Sequence, residues 1–462
     1  MVSSLVGTRP WVAVPGHPIA ALRRPGIIPL RPPGLPRHRG CLAARSSGVS
    51  TATGSPPTLR DICQGRVPEH ILKRAEDIGF TLPTEVQRQS LPVLLSGKDC
   101  VLQAQTGSGK TLAYMLLIFS VINFQRSAVQ ALIVVPTREL GMQVARVARM
   151  LAAKLTGFET VKSTCAIMAL LDGGMLKRHK SWLKAEPPEI VVATIGSLCQ
   201  MLEKHVLKLE AIQVLVVDEV DFMFNSSKQV QSLRKLLTSY STIDARQTIF
   251  ASASIPQHNR FLYDCVQQKW TKKDVVHVHV NAVEPLPSCL SHRYVICRKH
   301  ERLGSLLFLL QSDTPKSGII FVNDQSEKSK RTGDLPSTLL VLEFLKACFN
   351  ESLEIHLLEE DMNYNARATS LSEVRQGSCI LVATDIAGRG VDLPETTHIY
   401  NFDLPKTAVD YLHRAGRAGR RPFSDDTCVV TSLISPEERF VLQRFENELM
   451  FNCEELQMMS LQ

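Results

Sequence analysis

The stretch AQTGSGKT, residues 104–111, lies between a short apolar run, CVLQ, and a helix-length segment, TLAYMLL. Gly107 and Gly109 let the backbone turn so that its N–H groups face an anion, and the N-terminus of the next helix adds its dipole. The general pattern opens on a glycine, and Ala104 stands there in this chain. The order strand, turn, helix predicts a phosphate-binding loop inside an α/β domain.

The residues of this loop divide the predicted contacts with a nucleotide. The Lys110 side chain would reach the β and γ phosphates, and the Thr111 hydroxyl would bind Mg²⁺. The other contacts with the nucleotide are predicted for Ala104, Gln105, Thr106, Gly107, Ser108 and Gly109. A chance glycine turn is the alternative, and the flanking strand and helix argue against it.

A second apolar run, VLVVDEVDFMF (214–224), ends in three acids. A phosphate loop needs an acid for Mg²⁺ at the end of another strand. Asp218 is the candidate for the metal, and Glu219 for orienting or activating the attacking water. Val220 is expected to point away from the phosphates, because neighbours on a strand alternate. The alternative is a strand that simply stops at a polar turn, and the nearby phosphate loop makes it the weaker reading.

Short apolar runs alternate with helix-length segments along the rest of the chain, which predicts parallel sheets covered by helices. A first set of strands is predicted at 100–104, 131–135, 189–193, 214–218 and 248–252. A second set is predicted at 317–322, 378–383, 398–402 and 427–433. The polar stretch 323–337 is predicted as an exposed loop. The fold class is therefore α/β, with two parallel-sheet units in tandem and a cleft between them.

Charge and proline content set the N-terminus apart from this body. The net charge is +8, and residues 1–60 hold eight arginines, no lysine, no acid and ten of the 25 prolines. The remaining residues therefore balance to about zero. An Arg-rich, acid-free, Ser-containing start is typical of an organelle transit peptide; a disordered basic arm that contacts RNA is the alternative. The prolines favour the chloroplast stroma over the mitochondrion. No apolar run reaches the roughly 18 residues of a membrane span.

The ordered motifs AQTGSGKT, PTREL, VDEVD, SAS, IIFVN, ATDIAGRGVD and HRAGRAGR resemble those of the DEAD-box ATP-dependent RNA helicases. The resemblance implies two RecA-like domains that close on ATP and RNA. The resulting domain hypothesis is a tail at 1–55, an ATP-binding domain at 56–270, a linker at 271–288, a C-terminal helicase domain at 289–450 and a short tail at 451–462.

The same resemblance implies roles for residues outside the phosphate loop. Gln87, in GFTLPTEVQ, would pair with the edge of adenine, and Asp392 would contact the ribose. Arg417 and Arg420 would act as arginine fingers that stabilise charge on the transferring phosphoryl group. Coupling between ATP and RNA is implied for Asp221, Ser252 and Ser254.

RNA contacts are implied for six residues, which would meet sugar and phosphate and carry no direct sequence information. They are Thr137, Arg138, Gly173, Gly174, Arg367 and Thr384. Four positions depart from the family pattern. Ile62 stands where an aromatic residue would stack on the base, Ile195 and Ser197 replace a proline and an arginine, and Tyr364 replaces a glutamine.

Two functions are compatible with these motifs. The first is RNA-stimulated ATP hydrolysis coupled to local duplex separation or ribonucleoprotein remodelling. The alternative is an ATP-gated RNA clamp or assembly scaffold with low turnover, which the four departures would suit. In either case the chain carries no added RNA-recognition domain, so protein partners that supply specificity are expected.

Overall fold

The computed structural model describes residues 57–457, with gaps at 64, 154–164, 172–175, 225–226, 241, 256–259, 281–285, 287–288, 334, 350–352, 360–361, 377–378, 389–390, 392, 395 and 420–427. The predicted tail at 1–55 lies outside the described residues. Among the described residues, no helix is both long enough and apolar enough to cross a membrane.

The first domain is built on a seven-stranded sheet whose strand pairs are all parallel. Its strands are β1 Cys100–Gln103, β2 Ala131–Val135, β3 Ile167–Leu170, β4 Ile190–Thr194, β5 Val214–Asp218, β6 Gln247–Ser252 and β7 Val276–His279. They lie in the order β3-β4-β2-β5-β6-β1-β7. The central strands are buried on both faces, because a separate apolar cluster packs helices against each side.

Ten helices are described in this first domain. They are α1 Leu59–Cys63, α2 Glu69–Asp77, α3 Glu85–Leu95, α4 Lys110–Val121, α5 Arg138–Ala152, α6 Leu176–Ala185, α7 Ile195–Glu203, α8 Val220–Phe224, α9 Ser227–Ser239 and α10 Phe261–Gln267. The α5 helix shows why the sequence forms them, since Leu140, Val144, Ala148 and Leu151 recur at helical spacing and are buried on one face.

The second domain repeats the arrangement with another parallel seven-stranded sheet. Its strands are β8 Leu290–Ile296, β9 Gly318–Phe321, β10 Ile355–Leu358, β11 Ile380–Ala383, β12 His398–Asn401, β13 Cys428–Ile434 and β14 Glu454–Glu455. They lie in the order β10-β11-β9-β12-β13-β8-β14. The helices are α11 Arg302–Asp313, α12 Glu327–Thr332, α13 Ser337–Phe349, α14 Tyr364–Val374, α15 Ala408–Ala415 and α16 Arg439–Leu449, and a 3₁₀ turn, Lys299–Glu301, precedes α11.

These sheets confirm the predicted α/β class, while three local predictions were wrong. The strand β7 lies inside the predicted linker and pairs with β1 at the edge of the first sheet. The strand β14 lies inside the predicted C-terminal tail and pairs with β8. The predicted loop at 323–337 contains α12, because the Ser326 hydroxyl caps its first turn by accepting from Ser329 N–H at 3.1 Å.

The strand order places the predicted site at the carboxyl ends of strands inside the first sheet. The strands β5, β6 and β1 are neighbours, and parallel strands end on the same side. The phosphate loop follows β1, the acids follow β5, and Ser252 ends β6. Three segments far apart in sequence therefore meet at the carboxyl ends of adjacent strands, which is where open parallel sheets bind ligands.

Candidate nucleotide and RNA site

The phosphate loop turns at two glycines in the left-handed region. Gly107 has φ 81° and Gly109 has φ 97°, and Gly109 caps the N-terminus of α4. A Cβ atom on Gly109 would lie 2.6 Å from Nε2 of Gln87. Gly109 is therefore required both by its backbone conformation and by the close approach of α3.

The predicted adenine contact, Gln87, is held against this loop. Its Nε2 donates to the Gly109 carbonyl at 3.3 Å, and its Oε1 accepts from Thr84 N–H at 2.9 Å. The second bond belongs to a capping box at the start of α3. Gln87 thus fixes the loop relative to α3 and lies beside the helix start that would receive phosphate.

Lys110 is buried, and its ammonium group lies inside the curl of the loop. Its Nζ donates to the carbonyls of Ala104 at 2.6 Å and Gln105 at 2.9 Å. The Ser108 hydroxyl donates to the same Gln105 carbonyl at 2.6 Å. These bonds place a positive charge at the centre of a ring of backbone groups, which suits an anionic ligand.

Asp218 ends β5 as a fully buried carboxylate with both oxygens occupied. Its Oδ1 accepts from Glu219 N–H at 3.0 Å, and its Oδ2 accepts from the Tyr114 hydroxyl at 2.8 Å. Burial, together with the charge of Glu219, raises the pKa of Asp218 to about 6, while Lys110 acts in the opposite sense. A buried carboxylate beside a second carboxylate is the kind of charge that a bound cation would compensate.

Glu219 turns the chain from strand into helix. Its φ is 48°, a left-handed conformation that is rare for a residue with a side chain. The Glu219 carboxylate is buried, and Oε2 has no hydrogen-bond partner within the described part of the chain. Backbone strain and an unsatisfied acceptor together are typical of residues kept for function.

Val220 does not occupy a strand, so the expectation based on strand alternation rested on a wrong premise. It begins α8 and is fully buried in the apolar cluster that includes Val217 and Met223. Its cluster is separate from the apolar cluster that contains Ala104 and Leu112 of the phosphate-loop segment. The predicted direction of the Val220 side chain relative to the phosphates stays a prediction.

Asp221 gathers the predicted coupling residues. Its Oδ2 accepts from the Ser254 hydroxyl at 2.7 Å, and its backbone N–H lies 3.5 Å from Ser252 Oγ. The same Oδ2 lies 3.3 Å from Nε2 of His413, which belongs to α15 of the second domain. One ligand atom each from Glu219, Asp221 and His413 lie within 4.8 Å of one another. The acids of the first domain therefore meet the second domain directly.

Three of the predicted RNA residues, Thr137, Arg138 and Arg367, lie at or next to a second contact between the domains. Thr137 caps α5 by accepting from Leu140 N–H at 3.3 Å, and Arg138 follows it. Glu139 forms an ion pair with Arg367 of α14 across the domains, with 3.2 Å between Oε1 and Nη1 and both side chains 9% exposed. This pair connects the segment after β2 to the second domain.

A cavity of about 580 Å³ opens between α5 and α14 beside this ion pair. Glu139 is the acid among its lining residues, and the apolar part is formed by side chains such as Met142, Met150 and Leu371. Its lining includes the arginines Arg74, Arg138, Arg146, Arg149, Arg367 and Arg375. The excess of positive charge suits a polyanion.

Two protein-family models match the chain. The DEAD/DEAH box helicase model matches residues 84–261, and the helicase conserved C-terminal domain model matches residues 298–422. The DEAD-box ATP-dependent RNA helicase 58, chloroplastic, of Oryza sativa subsp. japonica is 64% identical over 444 residues, which cover 96% of this chain and 97% of that protein.

This chain belongs to the DEAD-box ATP-dependent RNA helicase family. The Arabidopsis thaliana protein of the same name is 67% identical over 411 residues, 89% of this chain and 86% of that protein. Both matches confirm the family resemblance carried by the motifs. This DEAD-box helicase is therefore an ATP-dependent RNA helicase.

Solved structures confirm the fold of this DEAD-box helicase. Mss116p bound to ssRNA and AMP-PNP has a TM-score of 0.74 at 21% identity, covering 88% of this chain and 81% of that one. S. cerevisiae Dbp5 bound to RNA and ADP BeF3 has a TM-score of 0.68 at 20% identity, covering 85% of this chain and 95% of that one. The two parallel sheets are therefore tandem RecA-like domains.

Not every predicted residue of the helicase can be placed. Gly173, Gly174, Asp392 and Arg420 lie outside the described residues. Thr384 is buried after β11, and no side-chain position is described for Tyr364. Roles for these residues remain predictions.

Arg417, a predicted arginine finger, contacts its own domain. Its Nη1 donates to the Val391 carbonyl at 2.7 Å, and its Nη2 donates to the Gly388 carbonyl at 2.7 Å. The guanidinium thus supports the loop after β11, in the segment ATDIAGRGVD. A role at the phosphates would require it to share or exchange these partners.

Three of the four departures from the family pattern have local structural explanations. Ser197 is buried in α7, and the Thr194 hydroxyl donates to Ser197 Oγ at 3.0 Å, so this position makes an internal contact. Ile195 is buried at the start of α7. Ile62 is half-buried in α1 and packs against the apolar cluster of the first domain. These side chains serve packing.

Sequence reasoning missed four residues of the site. His413 opens the motif HRAGRAGR and Glu139 lies within PTREL, so their motifs could have indicated them. Arg414 bridges segments of the second domain, donating to Asp385 Oδ1 at 2.6 Å and to Asn323 Oδ1 at 3.0 Å. Tyr114 lies in an apolar helix run, where nothing distinguishes it from a core residue.

Proposed function

We propose that this helicase hydrolyses ATP in an RNA-stimulated manner and uses the cycle for local duplex separation or ribonucleoprotein remodelling. The contact that supports this proposal best is the one between Asp221 Oδ2 and His413 Nε2. It joins the acidic strand end of the first domain to the second domain. Asp221 lies two residues after Glu219, the residue proposed to orient the water, so it would link hydrolysis to domain closure.

The nucleotide contacts follow from the loop geometry. Lys110 would balance the charge of the β and γ phosphates, and the N–H groups of the loop would bind their oxygens. Gln87 would pair with adenine and Asp392 with the ribose. Glu219 would orient the attacking water, because its buried Oε2 has no hydrogen-bond partner among the residues that the structure describes. Arg417 and Arg420 would stabilise charge on the transferring phosphoryl group.

The oxygen donors present fit Mg²⁺, which prefers carboxylate, hydroxyl and water ligands. Asp218 and Thr111 would hold it, largely through water, and the buried charge of Asp218 beside Glu219 supports a cation there. When bound, Mg²⁺ would neutralise charge on the β and γ phosphate oxygens. The chain itself supplies the alignment, through the bonds that hold both oxygens of Asp218.

RNA is proposed to follow the carboxyl side of both domains. Thr137, Arg138, Gly173, Gly174, Arg367 and Thr384 would contact its sugar-phosphate backbone. The cavity between α5 and α14 supports this path, since its lining combines six arginines with one acid. Backbone contacts position RNA without reading its sequence, so protein partners are proposed to supply specificity.

Phosphate release with and without RNA tests the proposed function. Wild type should be stimulated by RNA, and Glu219→Gln should lose about 100-fold or more in turnover while retaining ATP binding. Glu203→Gln is the matched control, because Glu203 lies on the surface in an ion pair with Lys235. The proposal fails if RNA does not stimulate wild type or if Glu219→Gln turns over normally.

The alternative function, an ATP-gated RNA clamp with low turnover, is not favoured. Lys110 follows β1, and Asp218 and Glu219 follow β5, which β6 separates from β1 in the same sheet. The relatives that are 64% and 67% identical are named ATP-dependent RNA helicases. The departures at Ile195 and Ser197, which suggested the clamp, are packing positions in α7.

The chloroplast stroma is proposed as the site of action. The two relatives are named chloroplastic, and residues 1–60 have the arginine, proline and acid content expected of a transit peptide. The mitochondrial alternative finds no support among these relatives. A fluorescent fusion to the full chain should localise to chloroplasts, and removal of residues 1–55 should leave it outside them; mitochondrial signal would contradict the proposal.

A further inference from the structure

The phenol of Tyr114 contacts Asp218, one of the two residues to which the magnesium role is assigned. Tyr114 is completely buried in α4, and its hydroxyl donates to Asp218 Oδ2 at 2.8 Å. Thr111, the other residue with that role, lies one turn earlier in the same helix.

The position of the Tyr114–Asp218 bond beside Thr111 depends on helix geometry. Thr111 and Tyr114 are three residues apart in α4, so their side chains lie on one face of the helix. That face meets the end of β5, 104 positions away in sequence. Tyr114 therefore ties the first turn after the phosphate loop to the acidic strand end.

With the Tyr114 bond, each carboxylate oxygen of Asp218 accepts a hydrogen bond from the protein. Asp218 Oδ1 is held by the Glu219 N–H, and Oδ2 is held by the phenol, so the carboxylate plane is fixed on both sides. A phenylalanine at position 114 would fill almost the same volume. It would leave Oδ2 buried without its donor, which is costly for a carboxylate.

We propose that Tyr114 is a positioning residue for Mg²⁺, orienting the Asp218 carboxylate for metal-bound nucleotide. This inference rests on the proposed magnesium site. Groups that hydrogen-bond a metal's ligands set their orientation and commonly change metal affinity 10- to 100-fold when removed. A tyrosine that only fills the core would affect stability, and nucleotide binding would change equally with and without metal.

The second domain offers a matched control. Tyr400 is buried, and its hydroxyl donates to Asp313 Oδ2, also at 2.8 Å. Tyr400→Phe therefore deletes a buried tyrosine hydroxyl from a bond to an aspartate in the other domain, where Arg293 Nη2 also donates to Asp313 Oδ2. Its effect on thermal unfolding gives a lower limit for the stability change expected from deletion of such a hydroxyl.

The test compares the affinity for a fluorescent ADP analogue with Mg²⁺ and with EDTA, in full-length protein. The Mg²⁺-dependent gain in affinity is expected to fall about tenfold or more in Tyr114→Phe. The affinity in EDTA should stay within about twofold of wild type, and Tyr400→Phe should keep the full gain. In an Asp218→Asn background, Tyr114→Phe should have no further effect on the gain.

The outcomes distinguish a failure of the Tyr114 inference from a failure of the proposed magnesium site. An unchanged Mg²⁺-dependent gain in Tyr114→Phe overturns the positioning role, even if the variant is less stable. So does an equal loss of affinity in Mg²⁺ and in EDTA. A wild-type protein whose ADP affinity ignores Mg²⁺ overturns the magnesium site itself, together with the inference that depends on it.

Discussion

Nε2 of His413 lies 3.3 Å from Oδ2 of Asp221, although 192 positions separate the two residues in the chain. Asp221 belongs to the first domain and His413 to the second, and both are buried. The same carboxylate oxygen accepts the Ser254 hydroxyl at 2.7 Å. One oxygen atom therefore connects the domains and the segment that follows β6.

Removal of the His413 imidazole should uncouple RNA from ATP hydrolysis. In His413→Ala, RNA-stimulated turnover is expected to fall about tenfold or more, since the contact with Asp221 can form only when the domains meet. Unstimulated turnover and ATP affinity should change less than threefold. Steady-state phosphate release measures both, with His300→Ala as a control at an exposed histidine. Equal losses with and without RNA would assign His413 to folding or to the chemical step.

The Glu139–Arg367 ion pair should contribute to RNA binding as a pair. A double-mutant cycle of Glu139→Gln and Arg367→Gln, measured as RNA affinity with a non-hydrolysable ATP analogue, is expected to give a coupling energy of about 1–3 kcal/mol. The reason is burial, because removing one partner leaves a charge unpaired at the domain contact. The exposed pair Glu203–Lys235 should show no measurable coupling in the same assay. Strictly additive effects at 139 and 367 would contradict a functional pair.

Substitution of Val220 should change stability and spare turnover. Val220→Ala removes two buried methyl groups from a close-packed cluster, which is expected to lower the free energy of unfolding by about 1–3 kcal/mol. Denaturant unfolding measures this loss, and RNA-stimulated turnover should stay within a few-fold. Val217→Ala, in the same cluster, is the control and should give a similar loss of stability. A large gain in turnover confined to Val220→Ala would show that the valine restrains catalysis.

The second domain should lose stability in mild acid because of a buried histidine. Burial lowers the pKa of His292 to about 4, and its Nδ1 lies 2.8 Å from the Tyr411 hydroxyl. In the unfolded chain the His292 imidazole binds a proton near pH 6.5, whereas in the folded domain it stays neutral until the pH approaches 4. The neutral His292 therefore contributes its full stability above pH 6.5, and that stability is lost as the pH falls toward 4. The loss in the free energy of unfolding reaches about 2 kcal/mol at pH 5.

Unfolding of the second domain between pH 7.5 and pH 5 checks this. Wild type should lose about 2 kcal/mol more over that range than His292→Gln, which carries no titrating ring. His300→Gln, at an exposed position, should keep the wild-type pH dependence. If wild type and His292→Gln change in parallel, His292 does not stay neutral in the folded domain.

The sequence allowed prediction of the sheets wherever a strand is a continuous apolar run. ALIVV and VLVVD correspond to β2 and β5 without a shift in their bounds. Edge strands were missed, because β7 (VHVH) and β3 (IMAL) are short and only partly buried. A strand of that kind is stabilised by its neighbour in the sheet, and a neighbour distant in sequence leaves no local pattern.

The site shows the same division between local and distant information. The loop with Lys110 and the acids at Asp218 and Glu219 belong to contiguous motifs, so their roles could be hypothesised from spacing. The bond between Tyr114 and Asp218 arises only when β5 is placed beside the helix after β1. The left-handed φ of Glu219 is likewise a property of the folded turn, since glutamate itself does not favour it.

The arginines that line the cavity between α5 and α14 also repel one another across the seam between the domains. A strand of phosphates entering that seam would act as shared counter-charge, drawing the domains together by releasing small ions. Added salt screens the arginine repulsion, so the domains close more easily without RNA. Salt also competes with the RNA phosphates, so RNA promotes closure less. Both effects lower the ratio of RNA-stimulated to unstimulated turnover, which should therefore decline with ionic strength more steeply than RNA binding alone.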